Sequence, residues 1–381
     1  MDSLNVLALN SGSSSLKFGL YRVDSSGAER LLGDSVSTAD DPDAMARVVG
    51  VLAASGMPPP DGIGHRIVHG GPAMRQHCRI DDAVLRQLQE AAAFAPLHTP
   101  AALALIRFAQ RQFPGVPQVA CFDTQFHAAL PEVARVLPID RELLSDGMQR
   151  YGFHGLSLES IVRQLGDALP HRLVIAHLGN GASITALMAG RSIDTSMGMT
   201  PSGGVIMGTR SGDLDPGVLV YLMREKKFDA TRLEALVDQR SGMLGISGLS
   251  GDMRRLHEAA PSNRDARLAI EMFCYSVRKQ VAAMVAVLGG RDMLVFTGGI
   301  GENDAQVRAE VCAGLACFGI ALDESRNRAV SHSSSLISSS ASRCQVRVLV
   351  SQEDEQIARH AWALLAPEPR RPSPAAKSNH G

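Results

Sequence analysis

The sequence predicts an α/β fold made of two related halves, and three observations support this prediction. Apolar strand patterns alternate with helical patterns through most of the 381 residues, which is typical of α/β architecture. A strand–loop–strand pattern near residue 10 recurs near residue 180. Turns rich in glycine or serine follow apolar strands at residues 10–15, 179–183 and 298–303. A chain of this length also exceeds one ordinary core, which favours two domains.

The first half begins with a predicted hairpin. Residues 4–9 form a short apolar run, residues 10–14 a turn of small polar residues, and residues 16–20 an alternating strand. Periodicity predicts the other elements of this half, which are helices over residues 42–54 and 81–94, strands over 64–68 and 119–122, and a helix near 156–165 that opens at 151–155.

The second half opens on the same pattern. Residues 173–176 predict a strand, residues 178–183 a small-residue turn and residues 184–188 the next strand, so that Ser183 aligns with Ser15. Few residues in the two segments are identical. On this match alone, a chance likeness between two hairpins is the better explanation.

The remaining elements are also read from periodicity and composition. They are a long amphipathic helix over residues 264–288, a strand over 293–296 that leads into a loop at 297–303, a helix over about 303–315, a strand over 346–350 and a helix over 353–365. The serine-rich residues 331–342 predict a surface loop, and the proline-rich residues 367–381 predict disorder.

Composition excludes several classes of function. The net charge of −1 implies no extended surface for nucleic acid. No apolar stretch approaches the roughly 20 residues of a membrane span, and the N-terminus has no basic and apolar regions of a signal peptide. The six cysteines are scattered without a C-x-x-C pair, so neither a disulfide framework nor a zinc site is expected. We therefore expect a cytoplasmic protein.

The most informative segment is residues 205–216 (VIMGTRSGDLDP). Its glycines let backbone N–H groups approach a phosphate closely, and Arg210 is suited to phosphate or carboxylate oxygens. Asp215 followed by Pro216 predicts a helix N-cap with proline at the first helical position. A tight turn with an exposed arginine is the alternative interpretation of this segment alone.

The three glycine- or serine-rich turns lie where nucleotides bind in α/β sheets, at the ends of strands. None matches G-x-x-x-x-G-K-[ST], which excludes a P-loop enzyme, and none has the spacing of a dinucleotide-binding fold. Three such turns in one chain indicate phosphate-binding loops shared between two domains.

Residues 64–71 (GHRIVHGG) indicate a small-molecule site. On a strand, Arg66 and Val68 would share one face because side chains alternate. A guanidinium beside a small apolar surface suits a carboxylate with a short alkyl group. His65 and His69 would face the other way, as core residues.

Other polar residues lie at strand ends and helix starts. His98 lies on a proline-bounded turn, Asp123 at a strand end, and His154 at a helix start, where a helix N-terminus favours anions. Together with two arginines they suit phosphoryl transfer, whose transition state spreads negative charge over several oxygens. Magnesium prefers oxygen ligands, and Asn10 and Glu353 are candidates; the alternatives are a turn residue and a helix cap.

Seven segments together resemble the acetate kinase family, also called the acetokinase family. They are residues 10–17 (NSGSSSLK), 64–71, 122–124 (FDT), 151–155 (YGFHG), 177–181 (HLGNG), 207–216 and 296–303 (FTGGIGEN), in the family's order. The resemblance covers residues 5–365. It implies reversible transfer of phosphate from ATP to acetate, giving ADP and acetyl phosphate. Mg²⁺ or Mn²⁺ would be the cofactor, and acetate and ATP the small-molecule partners.

The resemblance also implies an architecture. The implied fold consists of two actin-like, ribonuclease H-like domains from a duplicated core, with the active site in the cleft between them. The implied assembly is a homodimer. The implied first domain is residues 1–148 with residues 353–366, on the acyl and phosphate side. The implied second, nucleotide-binding domain is residues 149–352.

Residue roles are carried over by motif. The catalytic set would be Arg66, His98, Asp123, His154 and Arg210, with His154 and Arg210 stabilising the transition state. The acyl pocket would be Arg66, Val68, Leu97, Phe153 and Pro201. ATP would contact Ser13, Ser15, Lys17, His177, Leu178, Gly179, Asn180, Gly181, Asp252, Met253, Arg254, Gly299, Ile300, Gly301, Glu302 and Asn303. Asn10 and Glu353 would hold the metal.

Two alternatives stay open. A propionate or other short-chain acyl kinase keeps the fold and changes the acyl group; Val68 favours acetate, since a smaller residue would leave room for another methylene. A non-kinase actin- or Hsp70-like ATPase belongs to another functional class. The chain departs from the family pattern at Thr99, at Ala102, and in residues 201–207 and 351–355, which bears on acyl preference and the metal ligands.

Overall fold

The structure is a computed structural model that describes residues 3–12, 15–37, 44–96, 98–330 and 335–366. The predictions made for Ser13, for Leu97 and for the tail at 367–381 lie outside the described residues. Within those ranges, no helix combines the length and the apolar character needed to cross a bilayer.

The described part of the chain contains strands in both halves. They are β1 (Leu4–Ser11), β2 (Ser15–Val23), β3 (Ala28–Ser37), β4 (Gly62–Ile67), β5 (Cys78–Arg79), β6 (Gln118–Phe122), β7 (Arg172–Leu178), β8 (Ala182–Met188), β9 (Arg191–Thr195), β10 (Met293–Thr297), β11 (Ser335–Leu336) and β12 (Gln345–Val348).

Helices connect and cover these strands. They are α1 (Ala44–Ala54), α2 (Asp82–Glu90), α3 (Thr99–Gln112), α4 (Glu132–Arg135), α5 (Arg141–Leu144), α6 (Gly155–Leu165), α7 (Pro216–Lys226), α8 (Ala230–Gln239), α9 (Gly242–Ser247), α10 (Met253–Ala259), α11 (Arg264–Val287), α12 (Gly298–Asn303), α13 (Ala305–Ala313), α14 (Glu324–Arg328) and α15 (Glu353–Leu365).

The strands form two mixed sheets of six strands with one common plan, so the predicted α/β fold with two related halves is confirmed. In the first sheet, β1 pairs with β2 as an antiparallel hairpin, and β4 and β6 continue on its other side in parallel. In the second sheet, β7 pairs with β8 as an antiparallel hairpin, and β10 and β12 continue in parallel. A chance likeness between hairpins does not explain this shared order.

The helix α11 covers the core of the second half. It begins at the N-cap Asn263, whose side chain accepts hydrogen bonds from the backbone N–H groups of Asp265 and Ala266. Phe273 and Val277 on its buried face pack with residues of β7, β8 and β10 in one hydrophobic cluster. Its helical periodicity therefore reflects a real amphipathic stripe.

The helix α15 packs against the first sheet although it lies at the far end of the chain. Ile357 and Ala361 share a buried cluster with Val6 and Ala8 of β1. The approach is close, because a Cβ atom on Gly64 would lie 2.6 Å from the Cγ2 atom of Ile357. This packing supports grouping residues 353–366 with the first half, while the predicted domain boundaries stay predictions.

Several element predictions were wrong in detail. Periodicity missed β3, α3, β5, β9 and the helices between residues 230 and 259. The predicted helix over 81–94 is α2 followed by a 3₁₀ turn at Ala91–Phe94. The predicted surface loop at 331–342 contains the short strand β11, while its residues 331–334 lie outside the described residues.

The glycine-rich residues 298–303 form the helix α12 and not the predicted loop. Glycine has a low helix propensity, so the local sequence argues against a helix here. Side-chain contacts with the backbone of α12 offset this cost. The Glu302 carboxylate accepts from the N–H of Gly298 at 2.9 Å, and the buried guanidinium of Arg308 donates to the carbonyl oxygens of Gly301 and Glu302, both at 2.9 Å.

Buried histidines predict that the fold is sensitive to acid. Burial lowers the pKa values of His65, His69, His127 and His177 from the ordinary 6.5 to about 4. Between these values the unfolded chain binds more protons than the folded chain, so the stability present above pH 6.5 is lost as the pH falls toward 4. We expect the free energy of unfolding, measured with urea at pH 7.5 and 5, to fall by several kcal/mol, on the order of 1 to 3 for each site.

The control for this measurement is His65→Gln, which removes one buried titrating ring. The side chain of His65 is buried and contacts Gln118. This variant should show a weaker dependence of the unfolding free energy on pH. Equal stability of the wild-type protein at pH 7.5 and 5 would show that these rings are not held uncharged.

Candidate active site

A cavity of about 770 Å³ lies where the carboxyl ends of β1, β4, β7 and β10 meet. Nucleotide sites of α/β sheets occupy this position. Residues of both halves line it. From the first half come Asn10, Gly12, Ser15, Lys17, Tyr21, Arg30, Arg66 and His98; from the second half come His154, His177, Gly179, Asn180, Gly181, Arg210, Gly298, Gly299, Glu302 and Asn303. The residues 350–355 complete the wall.

Arg66 enters the cavity from the end of β4 and is held by Asp123, which follows β6. Its Nε and Nη2 atoms donate to the same carboxylate oxygen of Asp123 at 2.9 and 2.5 Å, and Nη1 donates to the carbonyl of Ser11 at 3.1 Å. Burial raises the pKa of the Asp123 carboxyl, and the ion pair with Arg66 opposes this rise. The pair fixes the direction of the guanidinium in the cavity.

Arg210 approaches the same point from the second half. Its Nη1 atom donates to the carbonyl oxygen of Pro201 at 3.4 Å, and its Nη2 atom lies 3.4 Å from Nε2 of His98. A Cβ atom on Gly181 would lie 3.3 Å from both Nη1 of Arg210 and Nε2 of His154. These side chains therefore converge on the second small-residue turn.

The loop that carries Arg210 is held by its aspartates. The Asp213 carboxylate accepts from the N–H of Gly204 at 2.7 Å and so orders the loop. Asp215 caps α7 by accepting from the N–H of Gly217 at 2.8 Å, with Pro216 at the first helical position. The predicted helix cap is confirmed.

Two of the histidines that line the cavity, His154 and His177, lie against one another. The rings of His154 and His177 stack with centroids 4.1 Å apart. Each ring makes a hydrogen bond with a serine through its Nδ1 atom. The Oγ atom of Ser183 lies 2.9 Å from Nδ1 of His154, and the Oγ atom of Ser157 lies 2.8 Å from Nδ1 of His177. His154 itself has a left-handed backbone, with φ of 61°, at the start of α6. A strained backbone of this kind is frequent at functional sites.

These histidines are uncharged at neutral pH. Burial, the neighbouring His177 and the two arginines lower the pKa of His154 well below 6.5. Burial together with Arg210 and Arg66 lowers the pKa of His98 to about 4. The histidines can therefore contribute hydrogen bonds, while the positive charge comes from the arginines.

Two carboxylates and an amide meet at the start of α15. The Asn10 side-chain amide donates to Glu353 at 2.9 Å and to Asp354 at 2.8 Å. Burial favours the protonated form of Glu353, but Arg66, His177 and Asn10 outweigh it and lower the pKa of Glu353. Burial raises the pKa of Asp354. Oxygen donors of this kind fit a magnesium ion, and Asp354 was not among the residues predicted from the sequence.

A second cluster fits a metal less well. His77, Glu159 and His360 bring three ligand atoms within 4.8 Å of one another, the single such group among the described residues. However, the N–H of Phe122 donates to Nδ1 of His77 at 3.0 Å, which places the ring proton on Nε2 and leaves that atom without a lone pair. The hydrogen bond with His360 and the nearby His77, whose Nε2 lies 4.0 Å from the carboxylate, outweigh burial and lower the pKa of Glu159 to about 2. The cluster is a carboxylate held between two imidazoles.

Comparison with known proteins decides the family. The model of the acetokinase family matches residues 34–359. The chain belongs to the acetokinase family. It is 39% identical to the acetate kinase of Rhodopseudomonas palustris, over 94% of this chain and 98% of the relative. It is 46% identical to the acetate kinase of Methylocella silvestris, over 79% of this chain and 74% of the relative.

Solved structures of this family share the fold of the chain. An acetate kinase from Porphyromonas gingivalis is 34% identical with a TM-score of 0.81, covering 95% of this chain and 99% of that one. A propionate kinase from Francisella tularensis is also 34% identical, with a TM-score of 0.84, covering 96% of this chain and all of that one. The acetokinase family and its α/β fold, predicted from the seven segments, are thereby confirmed.

The structure does not bring every predicted nucleotide residue of this acetokinase-family chain to the cavity wall. Leu178 and Met253 are core residues, and Asp252 caps α10 and pairs with Arg254 at 2.9 Å. Ile300 and Gly301 do not line the cavity either. Glu302 lines it but also accepts from the N–H of Ser351 at 2.9 Å, which ties α12 to the segment before α15.

Among the predicted acyl residues that the structure describes, Val68 lies beside the two arginines. Val68 follows β4 and is not part of the strand, but it lines a second cavity, of about 740 Å³, that Arg66, His98 and Arg210 also line. Phe153 and Pro201 are buried, and their roles stay predictions.

Sequence patterns missed the residues that orient the functional side chains. Ser157, Ser351 and Asp354 are ordinary polar residues to which the sequence assigned no role, and Ser183 was singled out only as part of the small-residue turn at 178–183. Only the spacing of Ser157 three residues after His154, on one helix face, could have drawn attention to it.

The buried ion pair allows a direct test of the site's electrostatics. We expect Asp123→Asn to lower the free energy of unfolding by about 3–5 kcal/mol, because it leaves the charge of Arg66 buried without a carboxylate. The double variant Arg66→Gln with Asp123→Asn should recover part of this loss, as measured by urea unfolding of all four proteins. Strictly additive effects of the two substitutions would show that the side chains do not interact.

Proposed function

We propose that this protein is an acetate kinase that transfers a phosphoryl group directly between ATP and acetate, in line and reversibly, forming ADP and acetyl phosphate. One observation carries the proposal: Arg66, Arg210 and His154 from different halves converge on one cavity beside the small-residue turn at Gly181. Family membership supports the same activity, since relatives along nearly the whole chain are acetate kinases.

The proposed roles follow from charge and position. Arg66, oriented by Asp123, holds the acetate carboxylate, and Arg210 holds the phosphoryl group during transfer. His154 donates a hydrogen bond to that group without adding charge, because its pKa lies well below 6.5. The phosphoryl transition state spreads negative charge over its equatorial oxygens, so fixed cations and donors are the catalytic contribution.

The metal would be held at the start of α15. Asn10, Glu353 and Asp354 offer the oxygen ligands that Mg²⁺ prefers. A bound magnesium ion would neutralise charge on the nucleotide phosphates. Lys17 and the turn at Gly179 and Asn180 line the same cavity and would bind those phosphates.

Propionate is the alternative acyl substrate, and the similarity to the Francisella tularensis propionate kinase, with a TM-score of 0.84, is compatible with it. Val68, with Phe153 and Pro201, is the proposed wall around the methyl group. Discrimination of one methylene in such a pocket is modest, about 1–3 kcal/mol, so some turnover of propionate is expected.

We also propose a cytoplasmic homodimer. Large apolar side chains on two helices support the dimer, with Val218, Val220, Tyr221 and Met223 on α7 and Leu268, Met272 and Tyr275 on α11 between 37% and 59% exposed. Apolar surfaces of this kind are frequent at protein interfaces.

Removing the charge of Arg210 tests the reaction. We expect Arg210→Ala to lower acetyl phosphate formation from ATP and acetate about 100- to 1,000-fold, because a fixed group that stabilises transition-state charge is lost. Trapping acetyl phosphate as the hydroxamate measures it. Arg86→Ala, on the exposed face of α2, is the matched control and should keep full activity. Activity retained in Arg210→Ala would refute the assigned role.

Changing the volume at Val68 tests the acyl pocket. We expect Val68→Ala to raise the ratio of kcat/KM on propionate to kcat/KM on acetate about tenfold, since it makes room for one methylene. Val68→Ile should shift the ratio the other way. Kinetics on acetate, propionate and butyrate measure both, and a wild-type preference for butyrate would contradict acetate as the main substrate.

A further inference from the structure

Two serines connect the cavity histidine His177 with the segment that precedes α15. The Oγ atom of Ser157 lies 2.8 Å from Nδ1 of His177, and the Oγ atom of Ser351 lies 3.0 Å from that of Ser157. Ser157 is fully buried on α6. The chain of hydroxyls thus runs from the cavity, through α6, to the loop at residue 351.

The distances in this chain decide the direction of its hydrogen bonds. If Ser351 donates to Ser157 and Ser157 donates to Nδ1, the two hydroxyl protons occupy the contacts of 3.0 and 2.8 Å. In the reverse direction Ser351 accepts from Ser157, and the other side-chain acceptor near its hydroxyl, Glu353, lies 3.5 Å away, at the limit of a hydrogen bond. The shorter contacts favour the first direction, in which Nδ1 of His177 accepts and the ring proton is on Nε2.

The protonation of Nε2 matters because this atom faces the phosphate-binding turn. A Cβ atom on Gly179 would lie 3.9 Å from it. Burial lowers the pKa of His177 to about 4, so the ring is uncharged at neutral pH and carries a single N–H. Phosphate oxygens accept hydrogen bonds, and only the tautomer with the proton on Nε2 can donate to them.

We propose that Ser157 and Ser351 are positioning residues that hold His177 as the Nε2–H tautomer, which makes it a hydrogen-bond donor to the phosphate oxygens of the nucleotide. The identity of this ligand rests on the proposed function, whereas the tautomer does not. His177 lies on β7, Ser157 on α6 and Ser351 in the segment before α15. A substitution of either serine would therefore alter the hydrogen bond that His177 offers at the phosphate site.

The tautomer can be observed without substrate. In the unliganded full chain labelled with ¹⁵N-histidine, two-bond ¹H–¹⁵N spectra distinguish a protonated from an unprotonated ring nitrogen. The signal that is present in the wild-type spectrum and absent from the spectrum of His177→Gln belongs to His177. We expect the proton on Nε2 at pH 7.5, and a proton on Nδ1 would overturn the proposal. Acetyl phosphate formation does not enter this measurement.

Variants test the effect on the nucleotide. We expect Ser157→Ala to weaken ADP binding about tenfold in calorimetry, because the donor at Nε2 is no longer held in place, while Ser157→Thr keeps the hydroxyl and the affinity. Ser351→Val and Ser351→Thr form a second pair, because valine and threonine side chains have nearly the same shape and only threonine keeps the hydroxyl. Of these two variants, only Ser351→Val should weaken ADP binding. This pair decides the matter if Ser157→Ala fails to fold.

Unchanged ADP affinity in both Ser157→Ala and Ser351→Val would overturn the proposal, as would equal losses in the Val and Thr variants of Ser351. A protein that binds ADP but forms no acetyl phosphate would instead count against acetate as substrate and leave the role of the serines intact.

Discussion

The arrangement of side chains in the cavity between the two halves depends on the buried ion pair between Arg66 and Asp123. Neither charge is stable in this position alone, since desolvation without a partner costs several kcal/mol. Asp123 also joins the backbone around it: its N–H donates to the carbonyl of Ile67 at 2.9 Å, and its carbonyl accepts from the N–H of Gly155 at 2.9 Å. One residue therefore connects the end of β4, the end of β6 and the start of α6, where His154 lies.

The charges in the cleft are separated by type. Arg66 and Arg210 supply positive charge, Glu353 supplies negative charge beside the proposed metal position, and the histidines stay uncharged. Burial lowers the pKa values of His98 and His154, and the repulsion that charged rings would meet from the arginines lowers them further. The site can therefore attract an anion with its arginines and orient it with neutral donors.

The helix α15 couples the two sides of the cleft. Its first turn carries Glu353 and Asp354 at the cavity, and its later turns pack on the first sheet. Before it, Ser351 binds Glu302 of α12 through its backbone and Ser157 of α6 through its side chain. Asn10, near the N-terminus, thus contacts Glu353 and Asp354 at the start of α15. Ser351, just before this helix start, begins the hydroxyl chain that leads through Ser157 to His177 at the proposed nucleotide position.

The sequence by itself determined the β1–β2 hairpin, the amphipathic α11, the helix α15 and the N-cap at Asp215, because periodicity and capping depend on neighbouring residues. Motif order also determined the family and the cluster of Arg66, Asp123, His154 and Arg210. Only the tertiary structure decided that the glycine-rich α12 is helical, that Asp354 joins Asn10, that Asp252 and Arg254 pair with each other, and that Ser157 and Ser351 reach His177. The Asp354–Asn10 contact and the chain from Ser351 through Ser157 to His177 join segments far apart in the sequence, where no local pattern carries the information. The helix α12 runs against the low helix propensity of glycine, and its contacts with Arg308 and Ser351 form only in the folded chain.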